Sequence, residues 1–235
     1  MHESTTIESI LFLDIETVAA YSDYGQLPDR MKFFWDKKTL YLQKNEDSTP
    51  EKLYERAGIY AEFGKIICIS VAYVHENKVR VKSFYGDDEK CLLEDFATLL
   101  NTHYHNSSHH LCGHNGKEFD FPYLCRRMLL NKIKLPFILD VAGKKPWETP
   151  FIDTMEMWRF GDYKNYTSLD LLASLFGIDS PKDDIDGSMV NHCYWKENAL
   201  ERIKTYCEKD VLTVVQLYVS YYGKEIFKAE DIIYL

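Results

Sequence analysis

Asp14 and Glu16 close a short apolar run near the start of the chain, over residues 10–17. A continuous apolar run of this length predicts a buried β-strand. Side chains alternate between the two faces of a strand, so both carboxylates are expected on one face. Adjacent carboxylates repel each other, and hard oxygen ligands of this kind suit Mg²⁺ or Mn²⁺. In the alternative, Asp14 begins a turn and Glu16 is solvated. An acidic chain produces this spacing by chance, and Asp87 and Glu89 repeat it in a polar stretch.

Two later stretches could supply further ligands. Asp120 follows a glycine-containing segment and opens a helical pattern, although an N-cap role would explain an aspartate there equally well. Tyr206 and Asp210 lie four residues apart in a long helical pattern, and residues i and i+4 share a helix face. The phenol and the carboxylate could therefore converge on one point. Core packing of the tyrosine beside a solvated aspartate is the alternative.

The elements that would position these residues alternate in type along the chain. Strands are predicted over residues 10–17, 65–74, 79–85, 110–112 and 151–154. Helices are predicted over residues 91–100, 121–130, 168–176 and 197–219. This pattern predicts one α/β domain over residues 1–235, with a central mixed β-sheet flanked by helices. Residues 20–63 are interpreted as a helical insertion within that domain, with Thr49 as an N-cap and Pro50 in the first helical position.

Composition limits the functional classes. A formal net charge of −9 disfavours tight non-specific binding to nucleic acid unless local basic groups or metal ions offset it. No apolar run approaches the ~18 residues of a membrane span, so no membrane partner is expected. The N-terminal residues lack the basic start and apolar core of a signal peptide. Six scattered cysteines without a Cys-x-x-Cys motif predict reduced thiols and a cytoplasmic location.

Three motifs in order carry a family resemblance. They read Asp14-Ile15-Glu16, Asn115 followed by Phe119-Asp120, and Tyr206 followed by Asp210. This order resembles the tyrosine-containing DEDD 3′–5′ exonucleases, which have a ribonuclease H-like fold. The likeness is greatest to the proofreading exonuclease domain of family-B DNA polymerases, in particular its stand-alone bacterial relatives, and runs from about residue 9 to 220. A related subgroup has a histidine where this chain has Thr205, so the tyrosine subgroup is favoured.

The resemblance implies a two-metal site. Two Mg²⁺ or Mn²⁺ ions would be held by Asp14, Glu16, Asp120 and Asp210. Asp14 would bridge the ions, Glu16 and Asp210 would complete the nucleophile-side ion, and Asp120 would hold the second. Such a site stabilises both the attacking and the leaving oxygen of an in-line displacement.

Tyr206 would orient the attacking water, because a phenol with an ordinary pKa of ~10 is a poor base at neutral pH. Thr17, Asn115 and Phe119 would contact the substrate. The implied reaction is hydrolysis of single-stranded nucleic acid from its 3′ end to nucleoside 5′-monophosphates, with DNA favoured and a place in DNA repair. An RNA-trimming exoribonuclease of the same fold stays open. A catalytically silent nucleic-acid-binding module also stays open, although all four carboxylates and the tyrosine are present. Protein partners stay undetermined.

Other stretches have weaker functional interpretations. Single strands are held by aromatic stacking and basic groups, and candidates are Phe33, Phe34, Trp35, Lys37 and Lys38, and residues 144–147. Ordinary amphipathic packing is the favoured alternative for both stretches. A zinc site at residues 109–114 is disfavoured because the spacing fits no structural zinc pattern. The acidic run at residues 179–186 is interpreted as a solvated loop.

Overall fold

A six-stranded mixed sheet organises the described part of the chain in the computed structural model, which describes residues 6–42, 49–162, 164, 166–179 and 184–235. The strands are β1 (Ile10–Ala19), β2 (Gly64–His75), β3 (Lys78–Tyr85), β4 (His110–Gly113), β5 (Phe151–Asp153) and β6 (Ile232–Tyr234). Their order is β5-β4-β1-β2-β3-β6. The β1–β2 and β2–β3 pairs are antiparallel, and the other three pairs are parallel. The predicted mixed sheet is confirmed.

Helices cover both faces of this sheet. They are α1 (Asp29–Thr39), α2 (Pro50–Leu53), α3 (Glu89–His103), α4 (Asp120–Leu130), α5 (Thr154–Arg159), α6 (Leu169–Phe176), α7 (Val190–Trp195) and α8 (Leu200–Tyr221). Because apolar residues of α3 and α4 form one core with the sheet and those of α8 form a second, the architecture is α/β, as predicted.

Alternation along β1 decides which of its residues face the two cores. Leu11, Leu13 and Ile15 pack on the side of α3 and α4, whereas Ile10 and Phe12 pack on the side of α8. The period of two then carries Asp14 and Glu16 to the α8 side. Pairing between β1 and β2 shifts register between Glu16 and Thr17, an irregularity typical of strand ends near functional sites.

The segment between β1 and β2 carries α1, α2 and short 3₁₀ turns, and its residues 43–48 lie outside the described ranges. Thr49 caps α2 by accepting a hydrogen bond from the Lys52 amide, as predicted. Trp35, one of the candidates for base stacking, is a packing residue instead, as the amphipathic alternative has it. It is fully buried, packs against Phe63, and its indole Nε1 donates to the Pro50 carbonyl at 2.9 Å.

Several boundaries differ from prediction. α8 begins at Leu200 and extends to Tyr221, while α5, α7 and β6 were not predicted. These three elements have only three to six residues, too few to establish a period that sequence can reveal. The predicted acidic loop falls partly on residues 180–183, outside the described residues. Within the described ranges, no helix combines the length and apolarity needed to cross a bilayer.

Candidate active site

One cleft of about 760 Å³ collects every residue predicted for the site. It lies where the end of β1 meets the start of α4 and the middle of α8. Its lining includes Asp14, Glu16, Thr17, Asn115, Phe119, Asp120, Tyr206 and Asp210. Residues separated by nearly two hundred positions in sequence therefore share one solvent-accessible space.

Asp14 and Glu16 form the tightest part of the cluster. Their carboxylate oxygens and the Cys207 sulfur all lie within 4.8 Å of one another. Asp120 and Asp210 line the same cleft but do not belong to a group of that tightness. The Cys207 thiol donates to Asp14 Oδ2 at 3.3 Å and to the Asp14 carbonyl at 3.5 Å, and burial raises its pKa. Cys207 thus supports the Asp14 carboxylate from α8, a contact that sequence analysis did not anticipate.

Asp120 joins α4 to the first strand. The N-cap interpretation is wrong, because Phe119 occupies the cap position and Asp120 is the first helical residue. Its Oδ1 accepts a hydrogen bond from the Ile15 amide at 3.2 Å. The backbone between Asp14 and Glu16 therefore holds the Asp120 carboxylate, so the first two motifs are joined directly.

Burial and mutual repulsion raise the pKa values of the carboxylates in this cluster. Burial raises the pKa of Asp14 well above its ordinary value, and the nearby charges of Asp210 and Asp120 raise it further. Burial, followed by the Asp14 charge, does the same to Glu16. Burial also raises the pKa of Asp120 to about 7, although backbone hydrogen bonds partly counter it. Divalent cations would relieve this repulsion, and the oxygen donors fit Mg²⁺ or Mn²⁺.

Tyr206 is directed into the cluster and keeps its proton. Its side chain is 7% exposed, and its hydroxyl is hydrogen-bonded to Asp210. Burial raises its pKa well above the ordinary value, and the charges of Asp210, Glu16 and Asp14 add to that effect. The hydroxyl can therefore donate a hydrogen bond but cannot act as a base near neutral pH.

Asp153 sets the shape of the loop that carries Asn115, and sequence analysis missed it. Its carboxylate accepts from the amides of Asn115 at 2.9 Å and Lys117 at 3.0 Å, and it also caps α5. Asn115 adopts a left-handed conformation with φ of 60°. Its side-chain oxygen is buried and has no hydrogen-bond partner among the described residues. The available signal was an aspartate directly before a Thr-x-Glu helix start.

The histidine-rich stretch near β4 does not form a zinc site in the described residues. His114 contacts Thr154 Oγ1 at 2.9 Å through Nδ1 and the Thr167 carbonyl at 3.0 Å through Nε2. Burial lowers its pKa, which favours the neutral ring. Cys112 is fully buried in β4. Within the described ranges, the group of three side chains close enough to ligate one ion is that of Asp14, Glu16 and Cys207.

A comparison with known protein families shows the family of this chain. A family model described as a predicted 3′–5′ exonuclease related to the exonuclease domain of PolB matches residues 59–228. The chain belongs to this family. The matched range of this chain begins after β1, and it includes Asn115, Asp120, Tyr206 and Asp210. No match was found among the curated proteins compared.

The fold of this exonuclease-family chain is also found in a solved polymerase. The family B DNA polymerase from the hyperthermophilic archaeon Pyrobaculum calidifontis matches with a TM-score of 0.55 and 17% identity. The match covers 91% of this chain and 24% of the polymerase. The chain thus spans about a quarter of that protein. At this identity the match shows the fold alone, and that fold is ribonuclease H-like, as predicted.

Proposed function

We propose that the chain hydrolyses single-stranded nucleic acid, DNA in preference to RNA, from the 3′ end and releases nucleoside 5′-monophosphates. The observation that carries the proposal is the convergence of four carboxylates and one tyrosine on a single cleft. They come from a strand, a helix start and a late helix, and membership of the exonuclease family supports a nuclease over a silent binding module.

Asp14, Glu16, Asp120 and Asp210 would hold two divalent cations. When bound, such ions supply a water of lowered pKa and compensate the charge that develops on the leaving oxygen. The chain's own residues prepare the site for this. Cys207 and the Ile15 amide orient two of the carboxylates by hydrogen bonds, so their positions do not depend on side-chain rotation alone.

Tyr206 orients the attacking water in this proposal. Its raised pKa keeps the hydroxyl protonated, so it can hold a water by hydrogen bonding but takes no proton from it. Since it already contacts Asp210, the same hydroxyl couples the water position to a proposed metal ligand.

Thr17, Asn115 and Phe119 would bind the terminal nucleotide. Phe119 lines the cleft and is half-buried, and its ring packs against Tyr123, so part of its surface is left for a base. The unpartnered Asn115 oxygen can accept a hydrogen bond from a nucleotide donor. A duplex end would first have to unpair and unstack, which costs a few kcal/mol, so single strands should be preferred.

Labelled oligonucleotides test this function. Matched DNA and RNA strands carrying a 5′ label are incubated with Mg²⁺, with Mn²⁺ or with chelator, as single strands and as blunt duplexes. The proposal predicts a ladder that shortens from the 3′ end, needs metal, and forms faster on single-stranded DNA. A faster ladder on RNA would favour exoribonuclease activity. Cleavage of a circular single strand would contradict an end-dependent nuclease.

A further inference from the structure

The charges around the cleft are strongly unbalanced. Five acidic residues line it: Asp14, Glu16, Glu55, Asp120 and Asp210. In the described ranges, Arg56 is the only lysine or arginine in the lining, and the pKa of His114 is lowered by burial. Because a nucleic acid strand carries a negative charge on every phosphate, Arg56 is the residue of the described lining whose permanent positive charge can attract it.

Arg56 stands on a turn that is locked against β1. The turn is the 3₁₀ segment Tyr54–Ile59, and Tyr123 donates from its hydroxyl to the Gly58 carbonyl at 2.8 Å. A Cβ on Gly58 would lie 2.9 Å from backbone atoms of Val18, so the turn and the strand are in close contact. Val18 is two residues beyond Glu16, and Arg56 lines the same cleft as the carboxylates.

The guanidinium itself is available. Arg56 is exposed, and its side chain makes no hydrogen bond or ion pair with another described residue. By contrast, Arg127, which is half-buried nearby in α4, is bound to Glu89 and to the Ala61 carbonyl. An arginine on a fixed turn, facing a cleft and held by no described neighbour, is free to bind a ligand.

An adjoining hollow of about 410 Å³ lies next to the cleft, and its lining includes Lys196 but not Arg56. Glu55, Ser188 and Asn191 line both spaces. Asn191 Oδ1 accepts from the Ala19 amide at 2.9 Å, so α7, which carries Asn191, is also tied to the end of β1. A strand whose end lies at the carboxylates can therefore leave over this shared boundary, where Glu55 is the sequence neighbour of Arg56.

We propose that Arg56 binds a backbone phosphate of the substrate strand close to the nucleotide that is removed. The inference rests on the proposed nuclease function and adds a residue that determines substrate affinity. A guanidinium matches phosphate through paired charge-assisted hydrogen bonds, and a phosphate contact is independent of base sequence. This contact should also steepen the slope of log affinity against log salt concentration by about 0.7 for single-strand binding.

Binding of a fluorescent single-stranded oligonucleotide tests the proposal. Anisotropy is measured in Ca²⁺ over a range of salt concentrations, with the oligonucleotide checked to be intact afterwards. Arg56→Ala should bind about tenfold more weakly on every base sequence, with a salt slope lower by about 0.7. Arg56→Lys should retain part of the affinity. Arg126→Ala is the matched control, because Arg126 is exposed on α4 and does not line the cleft.

Hydrolysis of a nitrophenyl ester of thymidine 5′-monophosphate separates this role from catalysis, because that ester has no upstream phosphate. Arg56→Ala should cleave the ester at the parental kcat while its KM for an oligonucleotide rises. Suppose that the parent degrades single strands but Arg56→Ala keeps the parental affinity and salt slope. That result would overturn the inference about Arg56 and leave the proposed function standing. A parent that cleaves neither substrate would overturn the proposed function, and the inference with it.

Discussion

Tyr206→Phe removes one hydroxyl from the proposed catalytic cluster and leaves all four carboxylates in place. In the parent that hydroxyl is hydrogen-bonded to Asp210, and burial raises its pKa well above the ordinary value. A group so firmly protonated contributes only by positioning the attacking water. We therefore expect a loss at the lower end of the range for such groups, about 100-fold in kcat, or ~2.7 kcal/mol. The cost in folding stability should be about 1 kcal/mol for one hydrogen bond.

The assay compares initial rates on a 5′-labelled single strand at saturating Mn²⁺ and measures Mn²⁺ affinity by calorimetry. Tyr218→Phe is the matched control, because Tyr218 is equally buried in α8, bonds Tyr222 through its hydroxyl, and packs on Phe12 away from the cleft. Asp210→Ala should lose both Mn²⁺ affinity and activity. If Tyr206→Phe is as fast as Tyr218→Phe, the hydroxyl has no catalytic role. If it binds Mn²⁺ as poorly as Asp210→Ala, the assigned roles are wrong.

Three further outcomes follow from the same contacts. The pKa values of Asp14, Glu16 and Asp120 are raised in the folded state, so the metal-free fold binds more protons than the unfolded chain. Its free energy of unfolding should therefore fall as pH rises from about 5 to 8, as followed by urea titration, and Asp120→Asn should flatten that slope. Mn²⁺ at about 100 times its Kd should stabilise the fold by ~2.7 kcal/mol at pH 8, whereas Asp14→Asn should raise metal-free stability and abolish the Mn²⁺ effect in thermal melts. Asp153→Ala should cost about 3 kcal/mol in denaturant titrations, because four backbone amides lose their acceptor, whereas Asp23→Ala, which caps only an exposed turn, should cost at most about 1.

Local periodicity predicted that Asp14 and Glu16 share one strand face and that Tyr206 and Asp210 share one helix face, whereas the family resemblance predicted that both pairs belong to one site. Alternation in β1 put Asp14 and Glu16 on one face, and the i, i+4 spacing put Tyr206 and Asp210 on one side of α8. The structure brings these two faces together because Ile10 and Phe12 share a core with α8. The chemical roles of these residues stay proposals.

Contacts across long sequence separations could not be predicted in the same way. Cys207 donating to Asp14 and Asp120 accepting from Ile15 depend on how α8 and α4 dock on β1, and no local period encodes that docking. Glu89 is a similar case. It belonged to a second Asp-x-Glu in a stretch read as a polar loop, yet it is buried, opens α3 and pairs with Arg127 at 2.5 Å.

The burial of Trp35 shows why sequence alone could not predict which side chains of α1 are exposed. Its neighbours Phe33 and Phe34 are exposed, and the whole stretch is rich in aromatic and basic residues. Which face of α1 points inward depends on the pocket formed by Tyr54, Phe63 and Ala57. That pocket is assembled from residues well beyond the helix, so the pattern within α1 alone left the choice open.

Product analysis with the parent and Asp14→Ala tests the central claim most directly. A single-stranded DNA with a free 3′ hydroxyl is incubated with Mn²⁺, and the released mononucleotides are identified by chromatography. We expect nucleoside 5′-monophosphates from the parent, beginning with the 3′-terminal base, and none from Asp14→Ala or in chelator. Release of nucleoside 3′-monophosphates, or release that persists in Asp14→Ala, would contradict a 3′–5′ exonuclease site built on these carboxylates.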